Sequence, residues 1–221
     1  MLQKTACLFG ATGLVGSQLL DKLEKEPQYR EIKVFVRRLP EVSFSSKVKF
    51  VLTDFDRLND LTTEITGEDV YIALGTTMAT AGSKKAFWKV DFTYCAEIAK
   101  IADANGVKRL LFVSAAGANK NSLIYYSRVK GLIEAYLIKS DIPSVVLFRP
   151  NFLEGDRIEK RPLEILMKKI NQRFPWIYSG LFKKFSPIHA EDVANAMIYC
   201  AHNSRFEQGR YIMESESMKS T

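Results

Sequence analysis

The sequence predicts an α/β protein built on a doubly wound, mostly parallel sheet flanked by helices, with a small helical cap near the C-terminus. Three observations predict it. Short apolar runs recur along the chain and alternate with stretches carrying apolar residues at helical spacing. The first run, Cys7-Leu8-Phe9, passes through a glycine-rich turn, Gly10-Ala11-Thr12-Gly13-Leu14-Val15-Gly16, straight into such a stretch. Later runs end in Gly75-Thr76-Thr77, Ser114-Ala115-Ala116-Gly117 and Arg149-Pro150-Asn151, and parallel sheets present ligands at their C-terminal strand ends.

The helix after the glycine turn carries Leu14, Val15, Leu19, Leu20 and Leu23 on one face. Glycine allows the positive φ of a tight strand-to-helix turn and lets a ligand approach the backbone. The turn ends on a helix N-terminus, where free N–H groups and the dipole favour an anion. A dinucleotide pyrophosphate is the expected occupant, held by Gly10, Ala11, Thr12, Gly13, Leu14, Val15 and Gly16. Close helix–strand packing would ask for the same glycines.

Ile32–Val36 reads as the second strand and ends in Arg37-Arg38, about twenty residues beyond the turn, where such folds meet the adenosine ribose. A carboxylate there selects NAD, whereas two arginines suit a 2′-phosphate. The expected cofactor is therefore NADP(H), with Arg37 ahead of Arg38; the alternative is a charged strand end at the surface. Val48–Leu52 is the third strand. Asp54 after it is placed to accept from the adenine amino group with Phe55 packing nearby, or else to cap the next helix.

The fourth strand, Asp69–Leu74, leads into Gly75-Thr76-Thr77. Leu74, Gly75, Thr76 and Thr77 are expected along the nicotinamide ribose and pyrophosphate, although the threonines would equally order the loop that continues to Lys85. A long helix is predicted over Phe87–Ala104, with Val90, Tyr94, Ile98, Ile101 and Ala102 as its buried stripe and Trp88 and Phe92 as core or interface aromatics. Leu110–Val113 is strand five, Tyr125–Lys139 a helix and Ser144–Phe148 strand six. The irregular, basic stretch 155–184 is expected as a substrate cap within one domain spanning 1–221. The final helix starts at Pro187–Ala194 with His189 in a structural role, Tyr211–Met213 forms an edge strand, and the polar tail 214–221 is expected to fray.

Ser114, Tyr126 and Lys130 form a Ser…Tyr-x-x-x-Lys arrangement, and the four-residue spacing puts the last two on one helix face. Reducing a carbonyl by hydride transfer leaves charge on oxygen, so a proton donor must stand beside it. An unperturbed tyrosine, near ~10, is a poor proton shuttle at neutrality. A lysine ammonium one turn away favours the phenolate and can also bond the nicotinamide ribose. Ser114 would anchor and polarise the carbonyl. Tyr125 has Val129, not lysine, at the matching position.

On these residues the chain resembles the atypical short-chain dehydrogenase/reductases, and most nearly the bacterial relatives of the human Tat-interacting protein of 30 kDa. The matching pieces are Gly10–Gly16, Val36-Arg37-Arg38, Ala73–Thr77, Phe87–Asp91, Tyr126–Lys130, Arg149–Arg157 and Asp192-Val193-Ala194. The resemblance implies a Rossmann fold, NADP(H) at the strand ends, and Pro150 and Phe152 crossing the nicotinamide end. Ala115 and Ala116 replace the second serine often found in the family, and no asparagine of its four-residue catalytic set is assignable; Asn119 and Asn121 lie nearby. Two functions from different classes follow: an oxidoreductase acting on an unidentified small carbonyl-type substrate, or an NADPH-sensing regulator acting through a protein partner.

The net charge of +7 is spread out apart from a concentration between Arg157 and Lys184, and a solvated basic face attracting an anionic cofactor accounts for it. Nucleic-acid and membrane partners are not expected, since no apolar run nears the ~20 residues of a span. A monomer or homodimer is expected. Cys7, Cys95 and Cys200 read as reduced core thiols, with no metal cluster beside His189 and His202. With no leader-like pattern at the N-terminus, the expected location is cytoplasmic.

Overall fold

A computed structural model of the chain describes residues 3–154 and 186–220. The described strands, in chain order, are β1 (Lys4–Phe9), β2 (Tyr29–Val36), β3 (Val48–Leu52), β4 (Asp69–Ile72), β5 (Arg109–Val113), β6 (Ser144–Arg149), β7 (Leu153–Glu154), β8 (Ile188–His189) and β9 (Gly209–Glu214). Seven of these form one sheet in the order β3-β2-β1-β4-β5-β6-β9, and every neighbouring pair is parallel. β7 and β8 form a separate parallel pair. The doubly wound, parallel expectation is borne out. The chain leaves β1 towards β2 on one side and resumes at β4 on the other, so the strand order reverses between β1 and β4, where such sheets bind ligands.

Beyond their first residues (Lys4 and Thr5, Asp69, Arg109) the central strands are apolar, because helices cover both sheet faces. Ala6, Cys7, Leu8 and Phe9 in β1 are fully buried, as are Leu110, Leu111 and Phe112 in β5. On one face, Leu19 and Leu23 of α1 (Leu14–Lys25) pack with Val193, Met197 and Cys200 of the Ala190–His202 helix. On the other, Ile98 and Ile101 of the Cys95–Ala104 helix pack with Ile133 and Leu137 of the Tyr125–Leu137 helix. All three cysteines are unpaired and buried, which pushes the Cys7 and Cys95 thiols up to about 12. Among the described residues no helix is long and apolar enough to cross a membrane, and no group of His, Cys, Asp or Glu is arranged to hold a metal.

Several boundaries depart from the sequence expectation for local reasons. The long helix begins at Lys84, because the Ser83 hydroxyl accepts from Ala86 N (3.1 Å) and caps it. It then passes through a π-helical segment, Lys89–Tyr94, before resuming as α-helix at Cys95. The buried stripe consequently runs through Phe87, Asp91, Cys95 and Ile98, with Val90 and Tyr94 only half-buried. The helix that follows Asp54 is a 3₁₀ helix over Phe55–Leu61. The tail does not fray as expected: Ser215–Met218 is a short helix, Met218 is buried in the core, and the Ser215 hydroxyl accepts from Asn151 N at 2.6 Å. The expected cap, 155–184, lies outside the described residues.

Candidate functional site

The C-terminal ends of β1, β2, β4, β5 and β6 share one edge of the sheet, because these strands are parallel. The glycine turn sits at the first of them. Gly10 has φ +89° and a Cβ there would meet Ala73 C and O at 2.6 Å; a Cβ on Gly16 would run into the Gly10 carbonyl. Both glycines are thus required by the close approach of turn, helix and β4. Gly13 is different: it caps α1 with no side-chain hydrogen bond, and the first turn holds no acidic residue. Thr12 and Gly13 are exposed, so this positive helix end faces outward with no anionic side chain of its own. A pyrophosphate fits that cradle on charge and on backbone access.

Arg37 and Arg38 extend beyond β2 and are exposed. Asp54 lies beside them through the Thr53 N to Val36 O hydrogen bond (2.8 Å), and its Oδ1 accepts from Asp56 N (3.0 Å), capping the 3₁₀ helix. Phe55 is buried with its ring 5.5 Å from that of Tyr94. At the β4 end Leu74 packs on the core, Gly75 is exposed, and the Thr77 hydroxyl accepts from Thr80 N at 3.1 Å, capping the short Met78–Ala81 helix.

The Tyr125–Leu137 helix delivers Tyr126 and Lys130. The Tyr126 ring lies 5.5 Å from Phe87. Tyr125 is bound elsewhere, donating its hydroxyl to Lys84 O at 3.0 Å. Lys130 is almost fully buried, with Nζ 2.8 Å from Asp91 Oδ1. The charge of Asp91 acts on the ammonium more strongly than the hydrogen bond between them. The other carboxylate oxygen accepts from Thr76 N at 3.0 Å. A Cβ on Gly75 would stand 3.4 Å from Asp91 Oδ1 and 3.5 Å from Lys130 Nζ. Burial pulls the Lys130 ammonium down, but the charge of Asp91, aided by Tyr126, outweighs it and holds the group above the ordinary lysine value.

Ser114 sits at the β5 end, buried, and donates its hydroxyl to Glu134 Oε1 at 2.5 Å. Glu134, also buried, accepts in turn from Arg149 Nε (3.0 Å) and Nη2 (2.7 Å). The single Ser114 proton is therefore directed at a carboxylate. Pro150 is tied to the same loop by Ala116 N to Pro150 O (2.9 Å), and Phe152 O accepts from Ile188 N at 2.9 Å. His189 is exposed, with Nε2 4.0 Å from Glu154. Sequence reading did not assign Asp91 or Glu134 to the site. Asp91 was detectable as a carboxylate one turn before Cys95 and two before Ile98; nothing in the sequence marks Glu134 as the partner of Ser114.

A three-layer parallel sheet with an open helix N-terminus at its switch point defines a Rossmann-type dinucleotide-binding protein with an oxidoreductase-like fold. Residues 10–204 match the family described as NAD(P)H-binding, and the chain belongs to that family. It is similar to the mitochondrial protein FMP52 of Candida albicans, 35% identical over 86% of this chain and 85% of the relative. It is also similar to the mitochondrial protein FMP52-1 of Scheffersomyces stipitis, 32% identical over 93% of this chain and 91% of the relative. Among solved structures it resembles MoeE5 in complex with UDP-glucuronic acid and NAD (TM-score 0.72, 16% identity, 94% of this chain and 75% of that one). The Bordetella bronchiseptica enzyme WbmH in complex with NAD+ is equally close in shape (TM-score 0.72, 17% identity, 96% of this chain and 76% of that one). These identities carry the fold alone. The cytoplasmic expectation is overturned by the FMP52 relatives, which are mitochondrial proteins. The buried, reduced thiols on which it partly rested suit any reducing compartment and do not single out the cytosol.

Proposed function

We propose that the chain is an NADP(H)-dependent oxidoreductase of the short-chain dehydrogenase/reductase type, with Tyr126 as acid/base towards a small carbonyl-type substrate. The observation that carries this reading is the buried Lys130 ammonium, held beside Gly75 at the β4 end and one helical turn from Tyr126. A buried lysine is costly, and a proton-transfer site gives it a use. The open end of α1 takes the pyrophosphate, Arg37 and Arg38 pair with the 2′-phosphate, and Gly75 and Thr76 leave room for the ribose. Bound there, the nicotinamide supplies the hydride. Tyr126 Oη would give its proton to the oxygen of the carbonyl being reduced, and the Lys130 charge would stabilise the phenolate left behind.

The test has two arms. Fluorescence titration should show NADPH binding at least about tenfold tighter than NADH, with the preference lost in Arg37→Gln/Arg38→Gln, since a charged bidentate contact is worth roughly 1.5–3 kcal/mol. A carbonyl panel followed by NADPH consumption should find turnover that Tyr126→Phe abolishes while cofactor affinity stays. Tighter NADH binding, or normal turnover by Tyr126→Phe, refutes the reading.

One observation favours the second reading, an NADPH-binding regulator. Ser114 donates its hydrogen bond to Glu134 and Ala115 brings no hydroxyl, so the strand end offers no free donor to a carbonyl. This reading expects a protein partner captured only in the presence of NADPH and no turnover across the panel.

A further inference from the structure

We infer that Asp91 is a positioning residue: it is the counter-ion that keeps Lys130 charged inside the core and pins its ammonium beside Gly75. The inference rests on the reading that Lys130 serves Tyr126 and the cofactor.

Lys130 is 3% exposed and Asp91 is 0% exposed. An ammonium in such a place gives up its proton unless an opposite charge compensates its lost hydration. The groups that face it are Asp91 from the π-helical segment, Cys95 from the start of the following helix, Tyr126 from its own helix and the Phe112 ring from β5, 5.5 Å away. Burial pushes the Cys95 thiol up to about 12, so it is neutral, and Asp91 supplies the compensating carboxylate. The pairing also has a direction. Asp91 grips Thr76 N with its second oxygen, so one side chain joins the β4 end to the lysine. The π-helical segment is where the helix presents this carboxylate inward, between Phe87 and Cys95 on the buried stripe. Such local π turns often occur at functional positions.

Asp91→Asn separates charge from shape, because the amide keeps the size and an acceptor for Thr76 N. The measurement is the pH titration of the Lys130 side-chain methylene next to Nζ by NMR, with the resonance assigned by its loss in Lys130→Met. The parent protein should show no Lys130 transition between about pH 6 and 10, and Asp91→Asn should bring a midpoint into that window, at least ~1 unit below an ordinary lysine. A purely structural aspartate would not move that titration. A flat Asp91→Asn titration overturns the inference.

Should Asp91→Asn fold too poorly for NMR, thermal midpoints decide. The double variant Asp91→Asn/Lys130→Met should regain most of what Asp91→Asn loses, since no bare charge remains; additive losses overturn the inference. NADPH titration of the parent protein runs alongside. A shifted Lys130 titration in Asp91→Asn combined with no NADPH binding by the parent refutes the oxidoreductase reading while supporting the ion-pair role.

Discussion

Ser114 donates its hydroxyl to Glu134 across 2.5 Å, joining the end of β5 to the last turn of the Tyr125–Leu137 helix. Arg149 neutralises the same carboxylate through two hydrogen bonds and reaches Glu214 at 3.3 Å. Three strand ends and one helix thus meet at a single buried charge, 20 residues from its serine donor in sequence. The arrangement fixes the helix that carries Tyr126 and Lys130 against the strands that carry the cofactor edge.

The two members of this bond should respond differently to substitution. Ser114→Ala leaves Glu134 paired with Arg149, so it should cost only about 1–2 kcal/mol of stability. Glu134→Ala removes the acceptor of Ser114 and leaves Arg149, 22% exposed, with Glu214 as its remaining partner, so it should cost more, about 3 kcal/mol. Denaturant unfolding of the two variants checks the order. Equal, small losses would show that Glu134 does not organise this corner.

Gly131 lies one residue after Lys130, and a Cβ there would run into the backbone of Asn119 and Lys120. That turn is fastened to the same helix by Asn119 N donating to Ser127 O at 3.0 Å. Backbone cannot swing aside as a long side chain can, so Gly131→Ala must push the turn off the helix. Overpacking of this kind costs about 1–3 kcal/mol or more, and the displaced turn should weaken NADPH binding as well. A variant with an unchanged thermal midpoint and unchanged NADPH titration would contradict the packing.

How far these features were legible in the sequence depends on the range over which they act. The glycine turn and the Tyr126–Lys130 pair are local patterns whose spacing itself carries the geometry, and the strands at 48–52 and 69–72 announce themselves by apolar runs between breakers. Asp91 is local too, four residues before Cys95 and seven before Ile98 on the buried stripe, but what gives a carboxylate a use there is Lys130, which a different helix supplies. Glu134 and Ser114 meet only because β5 and the following helix pack together, a tertiary relation that no periodicity encodes. The tail misled because Ser215 and Met218 are buried by contacts with Asn151 and the core, whereas composition alone reads Ser-Glu-Ser as solvent-facing.

The opposite edge of the sheet makes stability depend on pH through His202, at the end of the Ala190–His202 helix. Its ring lies 5.4 Å from that of Tyr29, and neither ring nitrogen has a hydrogen-bond partner among the described residues. Burial lowers its pKa below 6.5; Glu26, 3.8 Å from Nε2, and Asp69 oppose this, while Lys4 and Arg109 reinforce it. The folded protein therefore holds His202 neutral at pH values where the unfolded chain, titrating near ~6.5, has already taken up a proton. As the pH falls through that region the unfolded state binds more protons, so the stabilisation present above about 6.5 is lost towards the lower folded-state value. One such group can tilt stability by at most about 1.4 kcal/mol per pH unit. Thermal midpoints of the parent and His202→Gln, compared at about pH 7.5 and about pH 5, isolate this group from the carboxylates that titrate below it. The parent should lose more on acidification than the variant, by about 2–4 °C for each kcal/mol in a chain of this size. Parallel losses in the two proteins would mean that His202 is protonated equally in the folded and unfolded states, and that its burial beside Tyr29 carries no proton linkage.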